Sequence, residues 1–85
     1  MRWTVQVATP AQKQRAKFPA KDQARISAAV AEMADHPFAG DVLELEGGGN
    51  RWRRRVGSYR IFFSLDNSTQ TVFVTAILRR TSKTY

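Results

Sequence analysis

The chain has 85 residues, with 14 Lys and Arg against 7 Asp and Glu, no Cys and one His, giving a net charge of +7. That length fits a single domain over residues 1–85, and without Cys there is neither a disulfide staple nor a thiolate metal site. A lone His36 makes no metal cluster, so no cofactor is expected. No apolar run reaches the roughly 18 residues that cross a bilayer and the start lacks a signal-peptide core, so a cytoplasmic protein without a membrane partner is expected.

Trp3, Val5 and Val7 alternate with polar residues, which predicts a first strand. Thr9-Pro10-Ala11-Gln12 reads as a helix start, with Thr9 as cap, Pro10 in the first turn and Gln12 completing a capping box. This helix is expected to end near Phe18, because Pro19 disfavours helical geometry just before it. A second helix is expected over residues 20–35, with Ile26, Ala29, Val30 and Met33 on one apolar stripe. His36-Pro37 closes it.

Beyond the helices the period changes from 3.6 to 2. Residues 42–46 form a short strand candidate and the glycine run 47–49 with Asn50 a flexible connector. Residues 51–56 follow as a second strand, Gly57-Ser58 as a tight hairpin turn, and residues 59–65 as a third strand with Tyr59, Ile61, Phe63 and Leu65 on one face. After a turn-rich stretch at 66–70, residues 71–79 are apolar on both faces, which predicts a central, largely covered strand. Residues 80–85 read as a polar tail. The fold expected is α+β: an N-terminal strand, a helical hairpin, then a twisted, mainly antiparallel sheet, βααββββ.

The charge is not spread evenly. Residues 1–50 hold six basic and six acidic side chains, whereas residues 51–85 hold eight basic groups against Asp66 alone. Arg51, Arg53 and Arg55 alternate, so in a strand they project from one face. Guanidinium groups on a rigid face suit phosphate, which they bind through paired hydrogen bonds. This basic half has no His and no Glu to move protons. Arginine keeps its proton but stabilises developing negative charge. Tyr85, after Arg79, Arg80 and Lys83, is a candidate base if cations lower its pKa. The blander readings are a solvated edge strand for the arginines, local pairing of Arg55 with an acid such as Asp66, and core packing for Tyr59, Trp3 and Trp52. Base stacking by Trp52 is the functional alternative for that residue.

Residues 52–63, Trp-Arg-Arg-Arg-Val-Gly-Ser-Tyr-Arg-Ile-Phe-Phe, resemble the R-V-G-x-Y-R hairpin of the RelE/ParE toxin superfamily. The segment from Ile77 to Tyr85 is similar to that family's terminal arginine-to-tyrosine stretch, and Phe18-Pro19 matches its interhelical apolar-Pro pair. The resemblance implies the toxin of a type II toxin–antitoxin system. Its RelE branch implies a metal-independent, ribosome-dependent endoribonuclease that cuts mRNA in the ribosomal A site and is neutralised by a cognate antitoxin. Carried over, Arg51 and Arg53 stand beside the scissile phosphate and Arg60 stabilises the transition state. Arg79 assists the leaving 5′-oxygen and Tyr85 activates the 2′-hydroxyl. Apart from the resemblance, Arg55, Arg80 and Lys83 are further phosphate-binding candidates by their charge. Arg54 departs from the pattern, standing where the family usually has an apolar residue. The alternatives are a ParE-like toxin directed at gyrase and a non-catalytic nucleic-acid or antitoxin-binding module. The antitoxin is expected to dock on the helical hairpin, on a strand edge or on both, with charge assistance that salt weakens.

Overall fold

The computed structural model describes residues 2–47 and 49–79. Its elements follow the expected order: β1 (Thr4–Val7), α1 (Thr9–Ala16), α2 (Ala20–Met33), β2 (Asp41–Glu44), β3 (Arg51–Val56), β4 (Tyr59–Asp66) and β5 (Thr71–Arg79). They form one five-stranded sheet in the order β1-β5-β4-β3-β2. β1 runs parallel to β5, and every other pairing is antiparallel. The first and last strands are therefore neighbours. The helices carry the chain across one face of the sheet, from the β1 edge to β2 at the opposite edge.

The core lies between that face and the helices. Ile26, Ala29, Val30 and Met33 of α2 are buried as the 3.6-residue stripe requires, and they meet Tyr59, Ile61, Phe63 and Leu65 of β4 with Val72, Val74 and Ile77 of β5. Each of the larger apolar side chains contributes roughly 1.5–3 kcal/mol by leaving water. β4 alternates buried and half-buried residues along its whole length, the mark of a strand covered on one side only.

Several boundaries and caps differ from expectation. Ala8, not Thr9, is the N-cap of α1, and no side chain caps it; Gln12 instead donates from Nε2 to the Val7 carbonyl at 2.8 Å. With Pro10 already in the first turn, one N–H fewer needs a cap there. α1 stops at Ala16 and α2 at Met33, two residues short of the expected ends, and β2 covers Asp41–Glu44 rather than 42–46. β5 is an inner strand, but its second face is open: Phe73 is 37% exposed and Leu78 44%. Its apolar residues on both sides therefore do not signal a second covering layer. Where β5 runs past the end of β1, Gln14 replaces the missing strand by accepting a bond from the Ile77 N–H at 2.8 Å. The connector after the glycines is tied rather than loose. Asn50, at φ 55°, donates to the Leu65 carbonyl and accepts from the Trp52 indole at 3.0 Å.

The β3–β4 turn has Gly57 at its first central position with φ 58°, the left-handed geometry that glycine adopts without steric cost. A side chain there would also run into the Arg25 guanidinium, 2.9 Å from where a Cβ would sit.

Candidate nucleic-acid interface

Strand pleating decides where each basic side chain goes. In β3, Trp52, Arg54 and Val56 turn toward the helices; opposite them in β4 stand Phe63, Ile61 and Tyr59. Arg51, Arg53 and Arg55 turn to the open face, opposite Ser64, Phe62 and Arg60. The alternation predicted from sequence thus places Arg51, Arg53, Arg55 and Arg60 on one surface of two adjacent strands. Arg55 and Arg60 are direct cross-strand partners, and like charges so placed repel unless an anion lies between them.

Some of that charge is answered within the chain. Asp41 of the edge strand β2 pairs with Arg55 at 3.0 Å and approaches Arg53 at 3.9 Å. Asp41, rather than Asp66, is therefore the local partner of Arg55. Asp66 closes its own turn: its Oδ1 accepts from the Ser68 N–H at 3.0 Å and the Ser68 hydroxyl at 2.7 Å. Those bonds, with a further one from Thr69, hold its carboxyl below the ordinary carboxylate pKa because they favour the ionised form. Arg51 and Arg60 have no carboxylate partner among the described residues, and the Arg60 Nε is buried without a hydrogen-bond acceptor. A buried charged donor left open is costly unless a ligand completes it.

Arg54, the departure from the family pattern, has another duty. Its Nη2 pairs with Glu32 at 2.6 Å and its Nη1 donates to the Ala29 carbonyl at 3.2 Å, so it bolts α2 to the sheet. Gly40, at φ 81°, lets the guanidinium pass, since a Cβ there would lie 2.9 Å from the Arg54 Nε.

Arg79 is not brought to the open face. Its cross-strand partner is Tyr59, which faces the helices, and its guanidinium carbon lies 5.8 Å from the centre of the Tyr59 ring. Arg60 pairs instead with Leu78 and faces the other way. The Tyr59 hydroxyl donates to Asp22 at 2.6 Å and its ring packs against Phe18 at 4.6 Å. The bond to Asp22, then burial, raise the Tyr59 pKa, so this phenol stays protonated and serves packing rather than proton transfer. Trp52 also lies on the helical side, against Phe38 at 4.7 Å, so it is no stacking platform for the open face. Arg80, Lys83 and Tyr85 lie outside the described residues.

Two features were missed from the sequence. Phe62 and Phe73 put aromatic rings among the open-face arginines, a signal present in the alternation of β4 and β5 once the buried face is known. Asp41 could not be recognised as the partner of Arg55 without the β2–β3 register.

Residues 2–83 match the family described as the ParE toxin of type II toxin–antitoxin system, parDE. The chain belongs to this toxin family. Solved structures of the RelE/ParE superfamily share its α+β fold. The toxin–antitoxin complex RelBE2 of Mycobacterium tuberculosis matches with TM-score 0.84 and 21% identity, covering 94% of this chain and 100% of that one. The archaeal RelE–RelB complex of Pyrococcus horikoshii OT3 matches with TM-score 0.85 and 22% identity, covering 96% and 99%. The isolated E. coli RelE toxin matches with TM-score 0.81 and 14% identity, covering 95% and 87%. None of the curated proteins matches the sequence. Among the described residues of this ParE-family chain, no helix is long and apolar enough to cross a membrane, and no cluster of three potential metal ligands occurs.

Proposed function

We propose that this toxin is an endoribonuclease that cuts mRNA in the ribosomal A site, and that an antitoxin neutralises it. The observation that carries the reading is the open-face row of Arg51, Arg53 and Arg60, with the Arg60 Nε buried and lacking an acceptor. In this reaction the ribose 2′-oxygen attacks the adjacent phosphorus and the bond to the 5′-oxygen breaks. The products are a 2′,3′-cyclic phosphate and a 5′-hydroxyl. Arg51 and Arg53 hold the phosphate, and Arg60 stabilises the charge that builds on its non-bridging oxygens. Tyr85 is the proposed base and Arg79 the proposed leaving-group assistant, both on the strength of the family resemblance. Arg79 starts from the helical side of β5, so its part requires its long side chain to leave the Tyr59 ring and reach round the end of the strand.

That separation favours a second reading, the ParE-like gyrase-directed toxin that the sequence resemblance also allows, in which the basic face grips a protein–DNA complex without cutting RNA. Primer extension on translated mRNA decides between them. Cleavage within A-site codons that falls about a hundredfold in Arg60→Ala supports the nuclease. Intact mRNA with DNA breaks in the presence of gyrase supports the second reading.

The antitoxin follows from the same surface. Solved relatives include toxin–antitoxin complexes. The open face offers exposed Leu43, Phe73 and Leu78 beside its arginines, which suits a segment both apolar and acidic. Binding is expected to weaken as salt rises, measured by titration calorimetry across ionic strength.

A further inference from the structure

Beside the arginine row lies a pocket of about 450 Å³ whose lining includes Leu45 and Gly49 of the β2–β3 connection and Arg51, Phe62, Ser64 and Thr75 of the sheet, with Trp52, Phe63 and Ala76 completing it. That volume lies in the range of small-molecule sites, roughly 300–1,000 Å³. Its shape has a cause. The β4–β5 register slips between Phe62 and Phe63, so Phe62 pairs with Ala76 and Phe63 with Val74, and Thr75 is left as the extra residue. The Thr75 hydroxyl donates to the Phe62 carbonyl at 3.2 Å and pins the bulge. Bulges bend a strand locally and re-aim its side chains. The result is a half-buried Phe62 with small side chains around it and a cation at the rim.

We propose that this pocket takes one nucleobase of the RNA, stacked on Phe62, while the phosphate next to it sits on Arg51 and Arg53. The proposal rests on the RNA reading above and names the residue on which the base would stack. Phe62 is the cross-strand neighbour of Arg53, so ring and guanidinium are placed to hold adjacent parts of one nucleotide. An aromatic face accepts any base by stacking, and the Ser64 hydroxyl at the wall can hydrogen-bond to a base edge. Gly49 turns the connection at φ 74°, the left-handed geometry that glycine adopts without strain, and so brings it beside Arg51. The occupant is a base rather than an acidic peptide because the pocket is small and apolar-floored, with a single cation, Arg51, at its rim.

The test is a double-mutant cycle on a short RNA oligonucleotide, intact or carrying a single abasic site stepped along its length. In the unaltered protein one abasic position should weaken binding about tenfold, the effect of losing one stacked base. In Phe62→Leu that position should cost almost nothing, while the salt dependence set by the arginines stays the same. Ser64→Leu, which fills the pocket from a half-exposed position, should give the same loss of abasic sensitivity with Phe62 intact. An abasic penalty that persists in both variants overturns the pocket. Unchanged RNA behaviour with weakened antitoxin binding in both variants also overturns it and assigns the pocket to the protein partner. If the unaltered protein neither binds nor cuts RNA, the RNA reading itself fails, an outcome distinct from either of these.

Discussion

Three consecutive arginines in β3 live in two different environments. Arg54 turns under α2, where Glu32 and the Ala29 carbonyl take up its charge and two of its donors. Arg53 and Arg55 turn to the open face, where a single carboxylate, Asp41, stands near both. The two side chains are almost equally covered, Arg53 15% exposed and Arg54 11%, so what separates them is the partner: on the helical face Glu32 and a backbone carbonyl bolt the guanidinium down, whereas on the open face Arg53 has only the 3.9 Å approach of Asp41. Charge in this strand therefore cannot be read by residue type. Only the pleat, fixed by which face is buried, tells a binding arginine from a packing one.

The largest expected effects separate the two sides most cleanly. Arg54→Ala removes a buried guanidinium, its pair with the half-exposed Glu32 and its bond to the Ala29 carbonyl, and should cost about 2 kcal/mol, lowering the melting temperature by roughly 10 °C. Arg53→Ala, one residue away, should move the melting temperature far less while weakening RNA binding. Thermal denaturation and RNA titration on both variants check this. If Arg53→Ala melts as early as Arg54→Ala, the contrast between the faces is wrong.

The next effect grades the open face itself. Each phosphate contact to single-stranded RNA contributes about 0.7 to the slope of log affinity against log salt. Replacing Arg51 or Arg60 by Ala should each lower that slope by about this amount, whereas Arg79→Ala, on the helical side, should leave it unchanged. A slope that falls equally for Arg79 would bring that residue back to the RNA face.

The order of elements, the antiparallel hairpin, the α2 stripe and the Arg51, Arg53, Arg55 row were all legible from periodicity, because pleat and helix pitch are local properties. The partners of those residues were not. Asp41 and Arg55 are far apart in sequence and meet only through the β2–β3 register. Arg79 was placed with Arg60 by family resemblance, but the register of β5 against β4 sets them on opposite faces. A one-residue bulge between Phe62 and Phe63 decides which β5 side chains share the open face, and nothing in the apolar run of β5 marks where that slip falls. Phe62 escaped notice for a simpler reason: an aromatic in a strand reads as core until the neighbouring Phe63 is seen to occupy the core side.

Asp41 acts on the same arginines from within the chain. A carboxylate beside two open-face arginines competes with phosphate for them. Asp41→Asn should raise RNA affinity a fewfold and steepen its salt dependence, because charge held internally becomes free to meet the ligand. Fluorescence anisotropy at several salt concentrations measures both quantities. Unchanged affinity would mean that Asp41 and RNA do not share the same arginines.

The smallest effect concerns Asp66, the one acid of residues 51–85, which ought to screen the arginines if proximity in sequence were enough. Its oxygens are committed instead to Ser68 and Thr69 in the turn before β5. Its carboxyl pKa is lowered in the fold, chiefly by the Ser68 hydroxyl bond, so the folded protein holds that proton less tightly than the unfolded chain. The stabilisation is therefore fully present above the unfolded carboxylate pKa, about 3.9, and fades as pH falls through the lower folded value. Asp66→Asn should flatten the acid limb of a melting-temperature profile below about pH 4 and leave RNA affinity at neutral pH as it was. If RNA affinity instead rises as in Asp41→Asn, Asp66 reaches the arginine row after all, and the open face is more neutralised from within than its turn geometry indicates.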